Sequence, residues 1–320
     1  MYNITYNNKQ VTNNHNLKLY KNSTEKIQQT IISKINNEFV MNKDIKDVMN
    51  LLFEELNNKS LAEGIDIDPD SKTISYNSSH ENNVDTSLEY NPTIDKNIFP
   101  NVNVWSIFKR KKGMRGDGNP LVYALKGERE WQFKSIDDKN AIEKQFNLIA
   151  EKFATLYPIG VTVIIPSGNS LNKHIVEIVM SKSKNAKLLE GALCKLTVEE
   201  VDEIVMRKDS YFRKVYKNNF NDAYKKLCIF FEEMDEQRDG MFSRHLIKDN
   251  KMRYAILDTL KITPDRYAMD SKIINGQNIL LIDDTISRGQ TIKHACEILN
   301  ESYGPKSITV LTLLSKLYDK

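Results

Sequence analysis

The sequence predicts an α/β fold: a parallel sheet with a helical insertion in the C-terminal half, preceded by a helical segment and a small antiparallel β element. Three observations predict it. After Gly160 and again after Asn278 a short apolar run is followed by a polar turn and a helix-period pattern, and a further apolar run starts at Ser307. Units of strand, turn and helix repeated in this way build parallel sheets. Apolar residues keep helical spacing between Ile27 and Leu56, and they alternate between Phe99 and Ser135. The chain is therefore read in three parts: an Asn-rich, partly helical region over 1–95, a small β element leading into a helix over 96–145, and an α/β domain over 146–320.

In chain order, Ile31, Ile35, Val40, Ile45, Val48, Leu51, Leu52 and Leu56 predict two helices. Residues 57–97 contain the turn-prone "DPDSK" and "NSSHENN" and read as a loop-rich linker or small β elements. "VNVWSIF", "PLVYALKG" and "WQFKS", with the glycine-rich "GMRGDGNP" between the first two, predict a small antiparallel sheet. From Asp137 to Tyr157, Ile142, Phe146, Ile149, Phe153 and Leu156 form one helical stripe. "GVTVIIP" is a strand, "SGNS" a turn and "LNKHIVEIVMSK" a helix. Residues 198–234 predict two helices, the second long and amphipathic, and the charged segment from Asp235 to Arg253 predicts a loop. "NILLID", the helix "QTIKHACEILNE" and the strand "SITVLTLL" complete the pattern.

Composition excludes several classes. A hydrophobic content of 40% supports a packed core, and no apolar run approaches the roughly 20 residues a membrane span requires. Cys194, Cys228 and Cys296 are far apart, which argues against structural zinc or a disulfide framework. The start "MYNITYNNKQVTNN" has no signal pattern, so a soluble, cytoplasmic protein without membrane contact is expected. A net charge of +3 is too mild to indicate nucleic acid. The basic run from Lys109 to Arg115 reads as a solvated tip. Trp105 and Trp131 read as core residues, and the stripe Tyr211, Phe212, Tyr216, Phe220 and Tyr224 as core or a dimer face; a homo-oligomer is expected.

The chemistry concentrates in "ILLIDDTISRGQT", Ile279 to Thr291. An apolar strand ends in two acids, and active sites of parallel sheets lie at such strand ends. Thr285, Ser287 and Thr291 offer hydroxyls, Gly289 lets backbone N–H groups converge, and the helix starting near Gln290 points its positive end at the same spot. Together they make a phosphate cradle. Asp283 and Asp284 suit neighbouring sugar hydroxyls or a Mg²⁺ ion bound to them. The ligand implied is a ribose carrying a 5′-phosphate.

This stretch resembles the phosphoribosyl-pyrophosphate motif of type I phosphoribosyltransferases. It shares with the amidophosphoribosyltransferase version the hydroxyl–Ile–x–Arg–Gly–x–Thr order at 285–291. "VTVIIPSGNS" is similar, more loosely, to the strand and pyrophosphate loop of the same fold. The resemblance covers roughly 146–320 and implies that fold there. It implies that Asp283 and Asp284 hold the ribose 2′- and 3′-hydroxyls and help place Mg²⁺. Thr285, Ile286, Ser287, Arg288, Gly289, Gln290 and Thr291 would wrap the 5′-phosphate, and Ser167, Gly168, Asn169 and Ser170 would face the pyrophosphate. The implied reaction joins phosphoribosyl pyrophosphate to a nitrogenous acceptor, whose identity the sequence does not supply, and releases pyrophosphate. A loop that closes over the site is also implied; Arg244, Lys248, Lys251 and Arg253 lie in the segment placed for it, and Asp283, Asp284 and Arg244 are the catalytic candidates. Two departures narrow the acceptor. No cysteine precedes Cys194, against a glutaminase domain, and Ser287 stands where members using 6-oxopurines carry an acid. The alternative reading is a non-catalytic regulator that binds phosphoribosyl pyrophosphate or a nucleotide, with a partner, nucleic acid among the candidates, held by the N-terminal half.

Overall fold

The computed structural model describes residues 62–99, 102–111, 119–167, 170–238, 240–257, 259–286 and 289–315. The chain divides between Leu61 and Ala62, and the described residues all belong to the unit that begins at Ala62. The two helices expected between Ile27 and Leu56 lie outside the described residues, as do Gly168, Asn169, Ser287 and Arg288.

The described chain runs β1 (Gly64–Asp68), β2 (Thr73–Asn77), β3 (Val84–Asp85), β4 (Thr93–Phe99), β5 (Val102–Arg110), α1 (Asn119–Lys126), β6 (Gln132–Phe133), α2 (Ile136–Leu156), β7 (Val161–Ile164), α3 (Leu171–Lys182), β8 (Lys187–Leu189) and β9 (Leu193–Lys195). It continues with α4 (Val198–Met206), α5 (Tyr211–Tyr216), α6 (Phe220–Arg238), α7 (Asn250–Ala255), β10 (Leu260–Ile262), α8 (Tyr267–Ile274), β11 (Asn278–Ile286), α9 (Gln290–Tyr303) and β12 (Ser307–Ser315).

Among the described residues the main sheet has seven strands. Strands β5, β12, β11, β7 and β8 lie side by side and parallel, and β3 and β4 pair antiparallel with the outer edge of β5. The parallel α/β architecture expected for the C-terminal half is therefore present. The run "NILLID" is continuously apolar because β11 is buried on both faces. Leu280 and Ile282 enter one core with α2 and α3, while Ile279 and Leu281 enter a second core with α9. Each such fully buried side chain contributes on the order of 1.5–3 kcal/mol.

Two expectations for 99–135 are corrected. "VNVWSIF" is a strand, but its long partner is β12, to which it runs parallel from Ile308↔Val102 to Leu314↔Phe108. "PLVYALKG" is helix α1, not a strand. Pro120 sits in its first turn, where a missing N–H costs nothing, and Gly127 stops it at φ +67. Leu121 and Leu125 satisfy both the alternating and the helical pattern, which is why the two were confused. The hairpin of β1 and β2, joined by β6 in parallel, packs Ile65 and Ile74 into the first core. Gly64 is required there: a Cβ would stand 2.5 Å from the Val84 carbonyl oxygen.

The insertion is a separate helical module. It leaves and re-enters through the antiparallel ribbon β9–β10, paired Lys195↔Leu260 to Leu193↔Ile262. Its core, from Leu196 to Ile256, is a third cluster built only from its own residues. Residues 198–234 form three helices, not two, separated by Ser210, which caps α5, and by Lys217 at φ 44. The charged 235–253 segment is not simply a loop: it includes a 3₁₀ turn over Arg244–Leu246 and the start of α7, with Phe242, Ile247 and Met252 buried in the module's core.

Candidate functional site

Strands β7 and β11 are neighbours, in register from Ile279↔Val161 to Ile282↔Ile164. From β7 the chain passes through α3 to β8 on one side, and from β11 it passes through α9 to β12 on the other. The winding reverses between them. A crevice opens at the carboxyl ends of strands at such a switch point, and ligands bind there. Of the two polar stretches picked from the sequence, 167–170 comes after β7, while 284–290 begins inside β11, which runs on to Ile286 and does not end at Asp283, and reaches the start of α9.

The helices differ in how they begin, and an uncapped start is not confined to the crevice, since α8 also lacks a side-chain cap. Helices α2, α4, α5 and α7 have side-chain caps from Ser135, Thr197, Ser210 and Asp249. Helices α3 and α9 have none: Ser170 makes no side-chain cap, and Gly289 occupies the cap of α9 in the left-handed region at φ 75. The start of a helix is the end that favours an anion, and both of these starts lie at the crevice.

The acid pair is split by the strand. Successive side chains point to opposite faces, so Asp283 and Asp284 part. Asp284 turns toward α1, where Lys126 Nζ lies 2.7 Å from its Oδ2, and its Oδ1 accepts the Thr285 hydroxyl at 2.7 Å. Asp283 lines a cavity of about 160 Å³ together with Thr285, Gly289, Gln290 and Thr291. Burial, and then the charge of Asp284, raise the Asp283 carboxyl well above the ordinary carboxylate range; the Asp284 N–H, Lys126 and the Asn172 side chain oppose that rise. The cavity is large enough for a small polar group such as a phosphate.

The far wall of this cavity comes from the insertion: Arg244, Arg253 and Tyr254. Arg244 donates to the carbonyls of Ile256 and Leu257 at 2.7 and 2.8 Å and to the Thr291 hydroxyl at 3.4 Å. It thereby ties the end of α7 to the first turn of α9. Arg253 donates to the Ile247 carbonyl. Lys248 is exposed, and Lys251 lies over the Tyr216 ring at 4.7 Å, directed into the module. Of the four cations singled out in this segment, the structure brings Arg244 and Arg253 to the motif.

Two residues of the site were missed in the sequence. Lys126 stood in a segment misread as a strand. Asn172, 1% exposed, donates to the Ile165 carbonyl at 3.3 Å and reaches Asp283, so it joins the turn after β7 to the end of β11. Its signal was a polar residue on the apolar stripe it shares with Ile175, Val176 and Val179.

A larger hollow of about 570 Å³ lies inside the insertion between α4 and α6. Glu199, Asp202, Glu232 and Asp235 line it, which opposes a phosphorylated ligand. Among the described residues no three His, Cys, Asp or Glu side chains converge as a metal cage. An acid facing a phosphate cradle still suits Mg²⁺, which takes one or two carboxylates and fills its shell with water and phosphate oxygens. Among the described residues no helix is long and apolar enough to cross a membrane. Comparison with protein-family models, curated proteins and solved structures finds no match for the chain.

Proposed function

We propose that the protein is a Mg²⁺-dependent phosphoribosyltransferase that joins phosphoribosyl pyrophosphate to a nitrogenous acceptor and releases pyrophosphate. One observation carries the reading: the acid-and-phosphate motif and the second polar turn, far apart in sequence, lie at the carboxyl ends of adjacent parallel strands at the point where the winding of the sheet reverses.

In this reading the N–H groups at the start of α9 and the hydroxyls of Thr285 and Thr291 bind the 5′-phosphate, and Arg244 supplies positive charge beside Thr291. Asp283 meets the ribose hydroxyls. The turn from Ser167 to Ser170, at the start of α3, faces the leaving pyrophosphate. Mg²⁺, held through Asp283, would offset the charge that develops on the leaving group. The wall formed by Arg253 and Tyr254 excludes water from the sugar, which matters because a ribosyl cation is easily captured by it.

Isothermal calorimetry with phosphoribosyl pyrophosphate and Mg²⁺, followed by a pyrophosphate assay over a panel of nitrogenous bases, tests the reading. Binding with acceptor-dependent pyrophosphate release is expected, and loss of both in Asp283→Asn. Binding without release on any acceptor would favour a regulatory protein, and absence of binding would rule out both.

A further inference from the structure

The two adjacent acids invite the assumption that they act together on one ligand. Their surroundings say otherwise. Both oxygens of Asp284 are engaged within the protein, one by Lys126 and one by Thr285. The Lys126 and Asp284 side chains are only 11% and 13% exposed. Removing Asp284 from this pair to serve a ligand would strand a buried ammonium, which is more costly than any gain from an exposed contact. The lysine is also delivered on a fixed element. It ends α1, where the helix dipole favours a cation. That helix is anchored by Leu121 and Val122 in the first core and stopped at Gly127. Asp283 is held differently: its Oδ1 accepts the N–H of Asp284 at 3.0 Å, the neutral Asn172 side chain also bonds it, and its carboxyl lines the cavity.

We propose that Lys126 is a positioning residue that divides the acid pair: it reserves Asp284 for the protein and leaves Asp283 as the one carboxylate of the pair that meets a divalent cation and sugar hydroxyls. The inference rests on the phosphoribose-binding reading above and sharpens it, because the motif alone assigns both acids to the ligand. It also makes the segment before residue 146 part of the site, since α1 comes from there.

The test uses the full-length chain with Mn²⁺ as the probe and no phosphoribosyl compound. Free Mn²⁺ is followed by electron paramagnetic resonance, and thermal melts are recorded for Asp283→Asn, Asp284→Asn, Lys126→Met, Lys126→Arg and the double variant Lys126→Met/Asp284→Asn. Asp283→Asn is expected to weaken Mn²⁺ binding by about tenfold or more, and the double variant to keep it within about threefold. Lys126→Met and Asp284→Asn should each lower Tm, with the double variant losing much less than the sum. Lys126→Arg should recover most of the Tm that Lys126→Met loses. The proposal is overturned if the double variant loses Mn²⁺ as severely as Asp283→Asn, or if the two losses in Tm simply add. A wild-type chain that takes up no Mn²⁺ also overturns it. If either single variant does not fold, the double variant, which leaves no buried charge unpaired, decides by its Mn²⁺ affinity. Phosphoribosyl pyrophosphate binding is measured separately on the wild-type chain, so failure of the ligand reading is seen apart from failure of the division of the pair.

Discussion

At Asp283, burial and the neighbouring charge hold a carboxyl above its ordinary range, against the pull of Asn172 and Lys126. A carboxyl whose pKa rises on folding favours the folded state below the ordinary carboxylate range, and that contribution is lost as pH climbs through the raised value. Asp283→Asn is therefore expected to stabilise the ligand-free protein, by on the order of 2 kcal/mol at the alkaline end, with almost no gain in acid. Melts from about pH 5 to about pH 9 would show the gap in Tm widening with pH; a constant gap would count against it. Arg244 gives a second residue-level expectation. Lysine keeps the charge but cannot reach two carbonyls and the Thr291 hydroxyl at once, so Arg244→Lys should cost about 1–3 kcal/mol in urea unfolding. It should also weaken phosphate binding. That Asp283, Thr285, Gly289, Gln290 and Thr291 share one cavity was legible because they lie within a few positions of one another at a strand end and helix start. Lys126 and Asn172 were not, because their partners lie far away in sequence and no local pattern records such a contact.

Among the elements, the clearest in sequence were those whose pattern has one solution. The run before Asp283 is apolar at every position because both faces are covered, and the stripe of α2 reappears as Ile142, Phe146, Ile149 and Phe153 in the first core. Helix α1 failed because eight residues carry too little periodicity to separate the two templates, although Pro120 and Gly127 mark its ends. Strand β5 was recognised, but its place was not: pairing partners are set by the whole sheet, not by the strand. Thr197 and Glu200 form a reciprocal capping box at the start of α4. Thr197→Ala should cost about 1 kcal/mol, seen as faster amide exchange in the insertion with little change in β11 or β12.

At the scale of the molecule, the insertion is bound to the sheet domain by a ribbon and by Arg244. Lys195 and Leu260 face each other on that ribbon, so replacing residues 196–259 by Asn-Gly would close it as an ordinary two-residue hairpin. The shortened protein is expected to keep the far-ultraviolet circular dichroism of an α/β sheet, since the module's core is its own. It should bind phosphate compounds more weakly, having lost the wall with Arg244 and Arg253. Collapse of the whole fold would mean that the module is needed for stability as well as for the site.

The position of β12 has a consequence for how the protein is made. Among the described residues it is the last of the sheet's strands in chain order, yet it lies between β5 and β11. A ribosome therefore delivers the outer strands first and the middle one last. Until Ser307–Ser315 emerges, β5 and the strands around the switch point have no shared neighbour, and both present open edges to the cell. A nascent chain halted before Ser307 should be held by chaperones or degraded, while one that passes Ser315 can close the sheet in a single step.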